Sequence, residues 1–188
     1  MNNNYNRIII GIDPGTNIMG YGVIGITNST PHYIDMGTVS LRKLNDSYLK
    51  LQNIFQSVQK LIEKYLPDEM AIEAPFYGKN IQSMLKLGRA QGVAIAAALL
   101  REVPIREYEP RKIKLSVTGR GSATKEQVKE MVFRIMNLKT GQDVSTLDAT
   151  DALAIALCHF YESSHPKTGN SPQSWKEYIL HHPEKIRR

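Results

Sequence analysis

Four carboxylates lie where an apolar segment ends or begins. Asp13 follows the segment IIIGI, Glu73 follows MAI, and Asp148 and Asp151 lie three residues apart at the start of an apolar segment. A carboxylate beside a protein core is costly unless a cation or strong donors compensate it, and acids three residues apart share one face of a helix. Because clustered acids repel one another, these segments favour a divalent-cation site.

Oxygen ligands suit Mg²⁺ or Mn²⁺, and the chain has no Cys/His cluster that would favour structural zinc. The chemistry of such a site is phosphoryl transfer. In a two-ion arrangement, one ion activates the attacking water and the other neutralises charge on the departing 3′ oxygen. The alternative is structural: Asp148 and Asp151 would cap a helix N-terminus, and Asp13 would cap the turn at Pro14-Gly15.

The hydrophobic pattern predicts the elements that would carry these acids. Runs of β-branched and apolar residues predict the strands, and apolar residues three and four apart predict the helices. Thr124 and Gln127 fit a capping box that begins the third of these helices. The basic segment 111–114 and residues 118–122 are predicted as a connection that ends in a flexible turn. The predicted strands are 8–13, 20–26, 32–41, 70–73 and 105–108, and the predicted helices are 46–67, 81–100, the one from 124, and 148–161.

Length and composition predict one α/β domain. A chain of 188 residues that is 41% hydrophobic can bury one core. We assign residues 1–7 to a polar extension, 8–163 to the folded domain, and 164–188 to a flexible polar and basic tail, because the tail has few apolar residues.

Charge and cysteine content narrow the function classes. A formal charge of +6 favours a polyanionic partner, although a basic protein without such a partner would have the same charge. The single cysteine, Cys158, lies in an apolar segment and suits a reducing cytoplasm. The sequence shows no secretory signal and no apolar stretch of roughly 20 residues. We therefore expect a cytoplasmic protein without a membrane partner.

Several motifs together resemble one family. They are GIDPG (11–15), GYGVI (20–24), AIE (71–73), KN (79–80), LKLGRAQGVA (85–94), GSATK (121–125) and DATDALA (148–154). In this order they resemble the RuvC family of crossover junction endodeoxyribonucleases, over residues 8–161.

The resemblance implies a fold, an activity and partners. The implied fold is ribonuclease-H-like, with a mixed five-stranded sheet flanked by helices. The implied enzyme is a homodimer that resolves four-way (Holliday) DNA junctions by paired symmetric nicks in recombination and repair. Two Mg²⁺ ions per active site, for which Mn²⁺ substitutes, would be its cofactors, and the RuvA–RuvB branch-migration complex would be a partner.

The resemblance also assigns roles to eight residues. Asp13, Glu73, Asp148 and Asp151 match the metal-binding and catalytic acids. Phe76 would stack on bases at the exchange point of the junction, or else anchor its own loop. The implied phosphate contacts are Lys79, Lys114 and Lys125, which would otherwise be solvated surface lysines.

Three other functions fit parts of the sequence. The segment GIDPGT resembles the phosphate-binding hairpin of sugar-kinase and Hsp70-type ATPases, but the chain is about one lobe of such an enzyme in length. A ribonuclease-H-like RNA-processing nuclease would share the acids without needing Phe76 or the matched lysines. A non-catalytic branched-DNA binding module would have lost one or more of the acids, and all four are present.

Overall fold

A computed structural model describes residues 5–75, 80–138 and 147–164. These residues form five strands and five helices. The strands are β1 (Arg7–Asp13), β2 (Ile18–Thr27), β3 (Thr30–Ser40), β4 (Glu69–Glu73) and β5 (Ile105–Tyr108). The helices are α1 (Ser47–Tyr65), α2 (Ile81–Leu99), α3 (Pro110–Thr118), α4 (Lys125–Ile135) and α5 (Leu147–Ser164). The predicted α/β class is confirmed.

The strands form one mixed sheet in the order β3-β2-β1-β4-β5. β1, β2 and β3 pair antiparallel, whereas β4 pairs parallel with both β1 and β5. The five strands agree with the ribonuclease-H-like prediction, and β1 lies at the centre of the sheet. A central strand buried on both faces explains why its sequence is a continuous apolar run.

Each face of the sheet has its own core. Successive side chains of a strand point to opposite faces, so Ile9 packs with α3, α4 and α5, while Ile10 and Ile12 pack with α1 and α2. α5 is the most buried helix, because it lies across β1 and β2. Its Cys158 is fully buried, which confirms a core thiol.

The helix boundaries follow local capping signals. Asp46 caps α1 by accepting hydrogen bonds from the backbone amides of Tyr48 and Leu49 at 2.7 and 2.9 Å. The Thr124–Gln127 capping box predicted for α4 is confirmed. None of the helices in the described ranges is long and apolar enough to cross a membrane.

The prediction that residues 111–114 belong to a connection was wrong. The basic segment is part of α3, which begins with Pro110 at its first turn and buries Ile113 and Val117. Gly119 ends α3 at φ 73° and donates its backbone amide to the Leu115 carbonyl at 2.8 Å. Proline at the start and glycine at the end mark a short helix, and the abundance of charge concealed this signal.

Candidate metal centre

The four acids come from three elements that meet at one edge of the sheet. β1 and β4 run parallel with Ile12 beside Ile72. Asp13 and Glu73, the last residues of these two strands, therefore leave the sheet side by side. Asp148 lies in the first turn of α5, and Asp151 follows three residues later. The strand ends and the start of α5 position the site.

Close packing of α5 on the sheet brings its acids to Asp13. Gly20 pairs with Asp13 across the β1–β2 ladder, and a Cβ at Gly20 would lie 2.1 Å from the backbone oxygen of Asp148. A Cβ at Gly11 would likewise lie 2.1 Å from the backbone oxygen of Ala152. Because only glycine permits such an approach, these glycines set the distance between β1 and α5.

Three of the acids form a compact ligand set. Each of Asp13, Asp148 and Asp151 offers a carboxylate oxygen, and these oxygens lie within 4.8 Å of one another in the described part of the chain. Glu73 lies outside that group of three, but its charge adds to burial and raises the pKa of the Asp13 carboxyl group. The donor set consists of half-buried carboxylates, which fits a hard divalent cation such as Mg²⁺ or Mn²⁺.

The electrostatics of the cluster favour the binding of a positive charge. Burial, followed by the charges of Glu73 and Asp151, raises the pKa of Asp13 from 3.8 to about 8. Burial and the charge of Asp151 also raise the pKa of Glu73. Acids that resist ionisation at neutral pH need a cation to become carboxylate ligands. The residues therefore fit a metal site.

A family model described as crossover junction endodeoxyribonuclease RuvC matches residues 9–159. That range contains all four acids of the cluster. The chain belongs to the RuvC family.

Curated RuvC proteins match nearly the whole chain. The RuvC of Porphyromonas gingivalis is 50% identical over 184 residues, which cover 96% of this chain and 97% of the relative. The RuvC of Christiangramia forsetii is 54% identical over 181 residues, with 96% and 93% covered. Such identities confirm the predicted family.

A solved structure agrees with the fold. Thermus thermophilus RuvC in complex with a Holliday junction substrate is 30% identical and covers 84% of this chain and 95% of its own, with a TM-score of 0.75. The yeast mitochondrial Holliday junction resolvase Ydc2 is 14% identical with a TM-score of 0.59, and shows the same fold. The ribonuclease-H-like fold prediction is thereby confirmed.

Lys125 is a cation directly beside the RuvC-type acids. It is the first residue of α4, and its Nζ lies 2.6 Å from Oδ2 of Asp151. Burial opposes protonation of this lysine, but the hydrogen bond and charge of Asp151 outweigh it and raise the pKa of Lys125. Lys125 therefore stays charged, and its side chain is 53% exposed.

Three other residues were predicted to contact DNA, namely Phe76, Lys79 and Lys114. Lys114 lies on α3, half-buried, and its charge acts to lower the pKa of Glu73, so it belongs to the surroundings of the site. Phe76 and Lys79 lie outside the described residues. Their predicted roles stay predictions.

Sequence reasoning missed one residue that contacts the site. Gln91 on α2 is 6% exposed, and its side-chain amide donates to the backbone carbonyl of Glu73 at 3.2 Å. In the sequence it lies within the motif LKLGRAQGVA, among small residues that permit close packing. A glutamine among alanines and glycines on a buried helix face was the available signal.

Proposed function

We propose that this chain is a metal-dependent endonuclease that resolves four-way DNA junctions by paired nicks. The observation that carries the proposal is the convergence of Asp13, Asp148 and Asp151 within 4.8 Å in a member of the RuvC family. The Thermus thermophilus relative was solved with a Holliday junction, which supports the same substrate here. The roles in recombination and repair follow from that substrate.

Asp13, Glu73, Asp148 and Asp151 would hold two Mg²⁺ ions, and Mn²⁺ would substitute for them. When bound, the ions supply an activated water and neutralise charge at the leaving 3′ oxygen. The acids of this chain would position the ions as their ligands, and no side chain would act as a nucleophile. Lys125, paired with Asp151 at 2.6 Å, would bring a positive charge to the scissile phosphate.

The surface beside the site supports a nucleic-acid path. A groove of about 720 Å³ includes Thr16 and Asn17 of the turn that follows Asp13, and Lys50, Lys86 and Arg89 also line it; none of its lining residues in the described ranges is acidic. This charge suits the phosphate backbone of a duplex arm. Lys79, Lys114 and Lys125 would contact phosphates, and Phe76 would stack on bases at the exchange point.

We also propose that the enzyme is a homodimer formed through α2. One face of α2 packs on α1, while the other exposes 69% of Ile81, 55% of Leu85 and 60% of Leu99. Along that exposed face, a Cβ at Gly88 or Gly92 would meet nothing within 4 Å. An exposed apolar helix face with small residues permits close helix–helix contact. A symmetric pair of sites would match the symmetric pair of cut strands.

Residues 8–163 would form the nuclease domain, between the extension 1–7 and the tail 164–188. Resolution of junctions in a bacterial-type recombination system would take place in the cytoplasm. The proposal includes association with the RuvA–RuvB complex, which the resemblance to the RuvC family implies.

The decisive experiment is cleavage of a labelled four-way junction beside a linear duplex and an RNA–DNA hybrid, with Mg²⁺ and with EDTA. We expect paired, Mg²⁺-dependent nicks confined to the junction. Preferred cutting of the hybrid would assign an RNA-processing nuclease. Junction binding without cutting would assign a binding module.

A further inference from the structure

Gln91 connects α2 to the end of β4. It is one of three buried polar side chains in the described residues, the others being Thr150 and His159. Its Nε2 donates to the backbone carbonyl of Glu73 at 3.2 Å and to Oε2 of Glu107 on β5 at 2.7 Å. Gln91 forms no hydrogen bond with a carboxylate of the four site acids. It can therefore affect the site only through the backbone of Glu73.

The Glu73 carbonyl lies beyond the last backbone amide that β1 can donate to β4. Ala74 donates its amide to the Tyr108 carbonyl on β5 at 2.9 Å, so the carbonyl of Glu73, one residue earlier, faces β1. With Ile12 beside Ile72, the next backbone nitrogen that β1 offers to this carbonyl is that of Pro14. Proline has no amide hydrogen. A side-chain donor must replace the missing ladder bond.

We propose that Gln91 is a positioning residue for Glu73. Its amide takes the place of the proline nitrogen and holds the Glu73 carbonyl, and Glu107 holds the amide. This sets the path of the chain where the Glu73 side chain leaves the sheet towards Asp13. The proposal rests on the proposed function of Glu73 as a metal ligand.

The test compares two glutamines that bond backbone carbonyls. Gln91→Leu and Gln91→Met each remove the donor to Glu73. Gln59→Leu is the matched control, because Gln59 on α1 donates to the Ala97 carbonyl at 2.5 Å and Ala97 is not a site residue. Mn²⁺ binding to the DNA-free protein is measured by electron paramagnetic resonance. We expect Mn²⁺ affinity to fall by on the order of 10- to 100-fold in both Gln91 variants and to stay unchanged in the control.

A second measurement separates positioning from folding. With EDTA, the Gln91 variants should bind a four-way junction as tightly as the wild type, while their cleavage rate falls and recovers partly at high Mn²⁺ concentration. Wild-type Mn²⁺ affinity in both Gln91 variants, with only a lower melting temperature shared by Gln59→Leu, would overturn the proposal. A wild-type protein that binds Mn²⁺ but cuts no junction would instead overturn the proposed substrate and leave the Gln91 comparison intact.

Discussion

At the scale of single residues, the proposed chemistry depends on acidic side chains whose pKa values the fold raises. Asp13 is the extreme case, because burial and two neighbouring acids raise its pKa to about 8. A group in this state gains a charge readily only when a cation arrives. The same residue is therefore unfavourable for the metal-free fold, and the proposed metal site would relieve that cost.

We predict that Asp13→Asn abolishes junction cleavage while junction binding persists or tightens. The substitution removes a metal ligand and one negative charge near the phosphate path. Cleavage and gel-shift assays on the same junction measure the two effects. Asp46→Asn is the control, since asparagine caps α1 as well as aspartate does. Retained cleavage in Asp13→Asn would reject the metal site.

At the scale of elements, the distance between α5 and the sheet decides whether the acids meet. Three glycines of β1 and β2, namely Gly11, Gly20 and Gly22, lie against the backbone of α5, and a larger residue at any of them would push the helix away. At the other end of the same helix, His159 hydrogen bonds with Glu69 at the start of β4 and with the Tyr108 hydroxyl at 2.7 Å. Polar contacts at one end and glycine contacts at the other thus hold α5 in register.

We predict that Gly20→Ala weakens Mn²⁺ binding and lowers the free energy of unfolding by about 1–3 kcal/mol. The added methyl would lie 2.1 Å from the backbone oxygen of Asp148, so the start of α5 must move. Calorimetric Mn²⁺ titration and urea unfolding measure the two effects. Gly37→Ala on β3 is the control, because its methyl would lie 2.7 Å from the Tyr21 hydroxyl and would not touch α5. It should lower the free energy of unfolding but leave Mn²⁺ affinity unchanged.

The polar contacts of α5 predict a loss of stability in acid. Burial lowers the pKa of His159 below 6.5, despite the opposing effect of Glu69. Burial would raise the pKa of Glu69, but hydrogen bonds from Arg7 and His159 outweigh it and hold that pKa below 4.5. As the pH falls below 6.5, the unfolded chain binds a proton that folded His159 resists. Below 4.5, the unfolded chain likewise protonates Glu69 first. Both shifts therefore favour unfolding in acid.

Urea unfolding between pH 7.5 and pH 5 checks the histidine part of this prediction. The free energy of unfolding should fall with pH in the wild type and fall less steeply in His159→Gln, which keeps a donor and an acceptor but does not titrate. His32→Gln, at a solvent-exposed position of β3, should keep the wild-type slope. Equal slopes in all three proteins would contradict the assignment to His159.

At the scale of the whole molecule, the proposed dimer places two metal sites on one junction. The apolar face of α2 lies on the helix whose opposite face packs on α1. Burial of such a face against its copy would remove exposed leucine and isoleucine from water. Paired nicks then require both copies, since each copy has one acid cluster in its described residues.

We predict that Leu85→Arg converts the dimer into a monomer that still binds Mn²⁺. Analytical ultracentrifugation measures the mass, and a nicking assay on circular DNA with a cruciform distinguishes single from paired cuts. Leu49→Arg is the matched control, because Leu49 is an exposed helix leucine on α1. It should sediment as the wild type does. A dimeric Leu85→Arg protein would exclude this face of α2.

How much of the site was predictable differs from residue to residue. The four acids were predictable because each lies where an apolar segment ends or begins, and Lys125 because it belongs to the motif GSATK that matches the family. α3 was not predicted, since its buried residues Ile113 and Val117 lie among charged neighbours. The flexibility predicted for the turn at 118–122 stays a prediction, and the structure adds that Arg120 donates its backbone amide to the Thr118 hydroxyl there.

The sequence by itself determined the element types, the fold class, the family and the identity of the acids. Those properties depend on local hydrophobic period, on capping residues and on motifs that are contiguous in the chain. Only the tertiary structure decided that Glu73 and Asp13 end neighbouring strands, that Lys125 pairs with Asp151, and that the Gln91 amide donates to the Glu73 carbonyl. These contacts join residues far apart in sequence, and their distances depend on how closely α5 and α2 pack on the sheet.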